Sequence, residues 1–214
     1  MTPRAALLSG AARLGIELQA NEIERLLAYA ALMAKWNKTY NLTAVRDPLA
    51  IVTYHLLDSL AALPHLPMSE GATIADVGSG AGLPGIPLAI ARPGWRIVLA
   101  EANQKKAAFL RQVTIELALR NATVHEGRVE SWLPDRPFAA VISRAFARLA
   151  EFVKACEHLV GDDGCLVAMK GALRADELAE MRGWGCTTVE LHVPLLDAVR
   201  HLVILRRGAA AAAT

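Results

Sequence analysis

The chain's three cysteines, Cys156, Cys165 and Cys186, form no C-x-x-C pair. That excludes a zinc knuckle and a paired disulfide framework, and points to a reducing compartment. No uninterrupted apolar run approaches the roughly 18 residues that a bilayer span needs. Aromatic residues make up only 5% of the sequence, and 23 basic against 21 acidic residues leave a formal charge of +2. Such a balance neither demands nor forbids a nucleic-acid partner, so charge alone does not name a substrate. The opening MTPRAALLSGAARLG is mildly basic but has neither the apolar core of a secretory signal nor the composition of a transit peptide. The expected location is the cytoplasm. With 54% hydrophobic residues in 214, the chain can bury one substantial core but is short for two full-sized domains.

What is present is a change of rhythm near residue 71. In NEIERLLAYAALMAKW, Asn21 is placed to cap a helix and Glu24 to close a capping box, while Ile23, Leu26, Leu27, Ala30 and Ala34 recur at helical spacing. A second helix is predicted from Asp47 as cap and Pro48 in the first turn, ending before Pro64. After Gly71, the short apolar runs TIADV, WRIVLAE, NATVHEG, AAVIS and CLVAMK alternate with segments of crossover-helix length, QKKAAFLRQVTIELALR and ARLAEFVKACEHLV. That alternation predicts a parallel sheet covered on both faces. TTVELHVPLLDAVRHLVILRR reads as two further strands joined by a short loop, which makes the terminal pair antiparallel. The expected fold is α/β, an open seven-stranded sheet, mainly parallel, with N-terminal helices. Its expected parts are a helical cap over 1–70, a core over 71–207 and a frayed tail over 208–214, with cap and sheet fused into one unit.

The chemistry gathers where the first strand ends, in TIADVGSGAGLPG. Gly78, Gly80 and Gly82 form G-x-G-x-G, and Gly80, Gly82 and Gly85 an overlapping G-x-G-x-x-G. Glycine there permits a sharp strand-to-helix turn and lets a ligand approach the backbone without meeting a Cβ. A lone pattern of this kind is more often an ordinary turn; between the first strand and helix of an alternating domain it predicts a nucleotide-type cofactor. Asp76 precedes the glycines and Glu101 ends the next strand, about 20 residues on, where a carboxylate can take both hydroxyls of an adenosine ribose. The competing readings are a helix cap for Glu101 and a solvent-facing strand end for Asp76. NAD and S-adenosyl-L-methionine both satisfy the acid. The pyrophosphate of NAD favours an exposed helix N-terminus, whereas S-adenosyl-L-methionine has no phosphate and carries a sulfonium cation; an acid just before alternating glycines and the antiparallel terminal pair favour S-adenosyl-L-methionine.

These residues sit within a longer set of motifs: KWNKTYNLTAVRDP at 35–48, HLLDSL at 55–60, DVGSGAGLPGIPLAI at 76–90, KKAAFLRQV at 105–113, VISRAFARL at 141–149, AMKG at 168–171 and RHLVIL at 200–205. Together they resemble the RsmG (GidB) family of bacterial small-subunit ribosomal RNA methyltransferases, over nearly the whole chain except its ends. The resemblance implies a Rossmann-like S-adenosyl-L-methionine-dependent methyltransferase sheet. It implies methyl transfer to N7 of a guanine in 16S rRNA, on naked RNA or within a small ribosomal subunit or assembly particle, with no obligate protein partner, no membrane and no metal. It implies cofactor positions at Gly78, Leu83, Val129, Glu130 and Arg144, with 127–131 bordering the adenine.

Guanine N7 presents an unprotonated lone pair, so the reaction needs no base, and the protein's task is alignment and exclusion of water. No catalytic residue is therefore expected beyond Arg144, a positioning candidate whose other reading is a structural salt bridge. SRAF stands where amino-methylating enzymes display D/N-P-P-Y/F, and no Pro-Cys suits attack at cytosine C5. Lys35, Lys38, Arg46, Lys105, Lys106 and Arg111 are candidate phosphate contacts, each equally readable as a solvated helix residue. Trp36 and Tyr40 read as packing residues between cap and sheet, with base stacking as the alternative. His55, Asp58 and Ser59 read as packing and cap-to-sheet polar contacts, and Lys170 as either substrate-side or solvent-facing. Two other functions fit the same residues less well: a small-molecule methyltransferase, and a non-catalytic RNA-binding assembly factor.

Overall fold

Each short apolar run after Gly71 becomes a strand. A computed structural model describes residues 1–208; apart from Gly208, the predicted tail lies outside the described residues. The strands are β1 (Thr73–Val77), β2 (Arg96–Glu101), β3 (Ala122–Glu126), β4 (Phe138–Ser143), β5 (Val160–Lys170), β6 (Trp184–His192) and β7 (Val199–Arg207). They form one sheet in the order β3-β2-β1-β4-β5-β7-β6. The pairs β1–β2, β1–β4, β2–β3 and β4–β5 are parallel, while β7 runs antiparallel to both β5 and β6. The strand order reverses between β1 and β4, and the crevice above the C-terminal ends of these strands is where open α/β sheets bind ligands.

Period-two alternation sorts the strand side chains into two apolar layers. Ile142, Val167 and Ile204 belong to one buried cluster, and Val141, Leu166 and Val203 to the other. The first layer is covered by α1 (Pro3–Arg13), α2 (Ala20–Tyr40), α5 (Gly85–Ala91) and α6 (Gln104–Glu116), through residues such as Leu7, Leu26, Ile86 and Phe109. The second is covered by α7 (Leu149–Cys156), with Leu149 and Phe152 buried, and by Met181 after the short α8 (Ala175–Ala179). Among the described residues, no helix is long and apolar enough to cross a membrane.

Two local readings change. The capping box at α2 lies two residues earlier than predicted: the Glu22 carboxylate accepts from the Gln19 backbone N–H at 2.8 Å, while Glu24 pairs with Arg4 of α1. The helix predicted from Asp47 does begin there, with the Asp47 carboxylate accepting from Ala50 N–H at 2.8 Å. It is not uniform, however. After α3 (Pro48–Ile51) the chain winds as a π-helix over Val52–Leu57 before α4 (Asp58–Leu60), and Pro64 lies in a 3-10 turn at Leu63–His65. Such wide turns are uncommon and recur at functional sites.

Candidate active site

The glycine turn is built as the sequence requires. Gly78, Gly80 and Gly82 have φ of 67°, 59° and 94°, a region that costs an L side chain strain. Space is short as well. A Cβ on Gly78 would lie 2.7 Å from the Cβ of Ala145, and one on Gly82 would lie 2.6 Å from Ile86 Cγ1. The Gly78 and Ser79 amides both donate to the Ala100 carbonyl, at 2.9 and 3.1 Å, anchoring the turn to the end of β2. Tyr29 of α2, fully buried, donates its hydroxyl to the Ala81 carbonyl at 2.5 Å. α5 follows with Pro84 as N-cap and Pro87 still within the first turn, where amides lack helical partners, so neither proline removes a needed donor.

Two carboxylates flank the turn. Glu101, only 8% exposed, accepts from Gly80 N–H through one oxygen and from Asn103 N–H through the other, both at 2.8 Å. Cap of α6 is instead Asn103, whose side chain accepts from the Lys105 and Lys106 amides. Each Glu101 oxygen keeps a further lone pair for a hydroxyl. Asp76 is wholly buried, which removes the solvent-facing reading. Its Oδ2 accepts from Gly85 N–H at 2.9 Å, and its Oδ1 has no partner among the described residues. Burial, the largest cause, pushes its pKa up to about 6, against the opposing pull of the nearby Ser79 hydroxyl, which itself donates to the Asp76 backbone carbonyl, of the Gly85 N–H and of the Arg144 charge. An unpaired buried oxygen beside a backbone cradle suits a ligand that brings a donor or a positive charge.

The remaining cofactor candidates lie along the same rim. Leu83 is nearly buried in the turn. Val129 is buried and Glu130 exposed in the 3-10 turn after β3, and Gly127 at its start donates to the Glu101 carbonyl at 3.1 Å. His125 stacks on Trp132 at 4.1 Å between ring centroids, closing that side. These elements hold the acidic, glycine-rich and apolar parts of the rim together at the C-terminal ends of β1, β2 and β3.

Arg144 is placed differently from a purely cofactor-facing residue. Its guanidinium reaches across to the cap, 3.1 Å from Asp58 Oδ2 and 3.2 Å from Ser59 Oγ, with the Tyr54 carbonyl of the π-helical turn at 3.5 Å. The other Asp58 oxygen takes Arg200 Nε at 3.1 Å. One buried carboxylate thus bridges two guanidinium groups, from the ends of β4 and the start of β7. Lys170 is neither solvent-facing nor free: it is 8% exposed, pairs with Glu177 and donates to the Ala147 carbonyl at 2.6 Å. Ser143 is structural, donating to the Val77 carbonyl at 2.7 Å and accepting from Ala145 N–H at 3.0 Å.

The NLTAVRDP region folds into a knot of its own. Asn37 accepts from Thr43 N–H at 2.9 Å, and Thr43 Oγ1 lies 2.8 Å from His55 Nε2. Trp36 packs on Phe109 and Tyr40 at centroid distances of 5.4 and 5.1 Å, a junction between α2 and α6. Of the basic candidates, Lys35, Lys38, Arg46 and Lys105 are exposed and Lys106 is partly so. Arg111 is spent on an ion pair with Glu126 at 2.6 Å. Sequence reasoning missed Tyr29, the bridging geometry of Asp58, and Arg200 with His201. The available signal for the last two was their position at the start of an antiparallel strand, which brings them to the same rim as the ends of β4 and β5.

The comparisons settle the family. The GidB family model, described as rRNA small subunit methyltransferase G, matches residues 22–203. The chain belongs to this family. It is 52% identical over 199 residues to the Ribosomal RNA small subunit methyltransferase G of Methylobacillus flagellatus, covering 93% of this chain and 96% of that protein. To its namesake in Nitrosospira multiformis it is 50% identical over 217 residues, covering 97% and 99%. Among solved structures, a SAM-dependent methyltransferase from Thiobacillus denitrificans in complex with S-adenosyl-L-homocysteine superposes with a TM-score of 0.58 at 12% identity, covering 81% of this chain and 98% of that one. A tRNA (m1A58) methyltransferase, TrmI, from Aquifex aeolicus gives 0.55 at 14% identity, covering 72% and 69%. At those identities the likeness establishes the methyltransferase sheet, which this GidB-family chain shares.

Proposed function

We propose that this chain transfers a methyl group from S-adenosyl-L-methionine to N7 of a guanine in 16S rRNA. The observation that carries the reading is the cradle itself: three left-handed glycines and the buried Glu101 and Asp76 carboxylates at the sheet's switch point, in a chain of the rRNA small subunit methyltransferase G family. Bound there, the cofactor supplies a methyl group activated by a sulfonium cation. Glu101 has lone pairs for ribose hydroxyls, the unpartnered Asp76 oxygen favours a cationic ligand, and the 127–131 turn with Leu83 offers apolar walls for an adenine. Because N7 carries no proton, the site requires no general base, and no titrating side chain is assigned one. Its residues orient the reactants and keep water out. Arg144 acts as a positioning residue, set between the turn after β4 and the cap.

The test incubates purified protein and S-adenosyl-L-methionine with undermethylated small-subunit particles and, separately, with naked 16S rRNA, followed by chemical mapping of N7-methylguanosine. One modified guanine in at least one RNA state is the expected result. Absence of label in both, or label on another base atom, overturns the assignment.

A further inference from the structure

A polar cavity of about 230 Å³ opens beside the cofactor rim, lined by Asp58, Arg144, Lys170, Gly171, Arg200 and His201 among others. It has no part in the cradle just described. Antiparallel pairing creates it: β7 enters the sheet at the edge where β5 leaves it, with His201 opposite Lys170 in register. We propose that this cavity seats a backbone phosphate of the RNA substrate next to the methylated nucleotide, with Arg200 and His201 as its donors. The proposal rests on the RNA-methyltransferase reading above.

Charge counting favours an anion. Three cations, Arg144, Arg200 and Lys170, face two carboxylates, Asp58 and Glu177, which leaves a surplus of one positive charge among the described residues of this cluster. Lys170 and Glu177 satisfy each other, so the surplus resides on the guanidinium pair that shares Asp58. Arg200 spends its Nε on that carboxylate, and its Nη1 lies 3.4 Å from where a Cβ on Gly171 would stand, so glycine at 171 puts no side chain against that nitrogen. A guanidinium fork suits two phosphate oxygens. Among the described residues His201 Nδ1 is buried without a hydrogen-bond partner, an orphan that costs free energy until something pairs with it. With its proton on Nδ1, the ring donates to the same anion.

A base would fit this pocket less well than a phosphate. N7 methylation places positive charge on the guanine ring, and a surplus cation against the ring would oppose the reaction. A phosphate one linkage away neutralises the surplus instead. Asp58 then has a second consequence, since it holds both guanidinium groups in place before RNA arrives and reduces the ordering cost of binding.

The test measures binding of in vitro transcribed 16S rRNA to the protein loaded with S-adenosyl-L-homocysteine, at pH 8 and over a range of KCl. Removing one phosphate contact lowers the magnitude of the slope of log Kd against log salt by about 0.7 to 0.9. Arg200→Gln is expected to show that loss, and Arg200→Lys to retain the wild-type slope. His201→Ala is expected to weaken binding about threefold to tenfold with the slope changed less than in Arg200→Gln, because it removes one hydrogen-bond donor where the arginine change removes a fixed charge. Affinity for S-adenosyl-L-methionine stays at the wild-type value in all three. An unchanged slope in Arg200→Gln overturns the subsite, even if that variant melts earlier. A loss of cofactor affinity in place of the slope change also overturns it, by making the anion the cofactor's carboxylate. Wild-type protein that methylates its RNA while Arg200→Gln keeps the slope defeats the subsite alone; wild-type protein that binds neither this RNA nor the undermethylated small-subunit particle defeats the functional reading and the subsite with it.

Discussion

Asp76 bears a charge that its buried site accommodates poorly. Its carboxyl group is raised from the ordinary 3.8 to about 6, with burial the largest cause. Between these two pH values the native state holds a proton that the unfolded chain has released, so this contribution to stability is full below pH 4 and is lost as pH rises through 6. A displacement of that size corresponds to about 3 kcal/mol. Asp76→Asn keeps an acceptor for Gly85 N–H and carries no charge at any pH. The stability difference between variant and wild type, read from urea midpoints, should therefore grow in favour of the variant by about that amount from pH 4 to pH 7. A difference that stays flat over that range places the buried proton elsewhere. At this scale the sequence was partly legible. Glycines declare backbone freedom by their identity, and Glu101 declares itself by its offset from them. The pairing of Asp58 with Arg200 spans 142 positions, and nothing local marks it.

At the scale of elements, strands and crossover helices were legible because alternation and helical spacing are local records of what each face touches. Element ends were less so. Cap preference favours Asn21 with Glu24, yet the helix starts at Gln19 with Glu22, and Glu24 pairs with Arg4 of α1 instead. The π-helical stretch has no sequence signature here, and its Tyr54 carbonyl finds a tertiary partner in Arg144. Tyr29 shows what such contacts do for the site, because its hydroxyl ties the middle of α2 to the glycine turn. Burial raises its pKa well above the ordinary 10, so it stays a neutral donor through the working range. Tyr29→Phe preserves the packing and leaves the Ala81 carbonyl unpaired, a loss of about 1 to 2 kcal/mol. Thermal melts should show that destabilisation, and isothermal titration should show weaker binding of S-adenosyl-L-methionine, since the turn that cradles it loses a restraint. Unchanged cofactor affinity alongside the lower melting temperature would confine Tyr29 to stability.

For the whole molecule, the question is whether cap and sheet fold together. Leu7, Leu26, Leu56 and Leu57 of the N-terminal helices share one buried cluster with Ile74, Ile142 and Ile204 of the sheet, which argues for a single cooperative unit. Asp58 adds a polar clamp to that apolar joint, since its side chain is 5% exposed and its two partners come from β7 and the turn after β4. Such joints are the least legible feature of a sequence, because a helical cap with its own amphipathic pattern reads alike whether it is docked or separate. Asp58→Ala leaves two guanidinium groups facing each other without their shared anion. Breaking a buried pair costs about 3 to 5 kcal/mol, and the lower end applies because each arginine side chain is about a quarter exposed. Urea unfolding followed by circular dichroism and by the fluorescence of Trp36 in the cap and Trp184 in β6, each isolated by replacing the other tryptophans with Phe, should give one transition, shifted to lower urea equally by all probes. Separate midpoints for the two tryptophans, or a shift confined to Trp36, would mean that the cap melts from the sheet as its own unit and that Asp58 merely latches it.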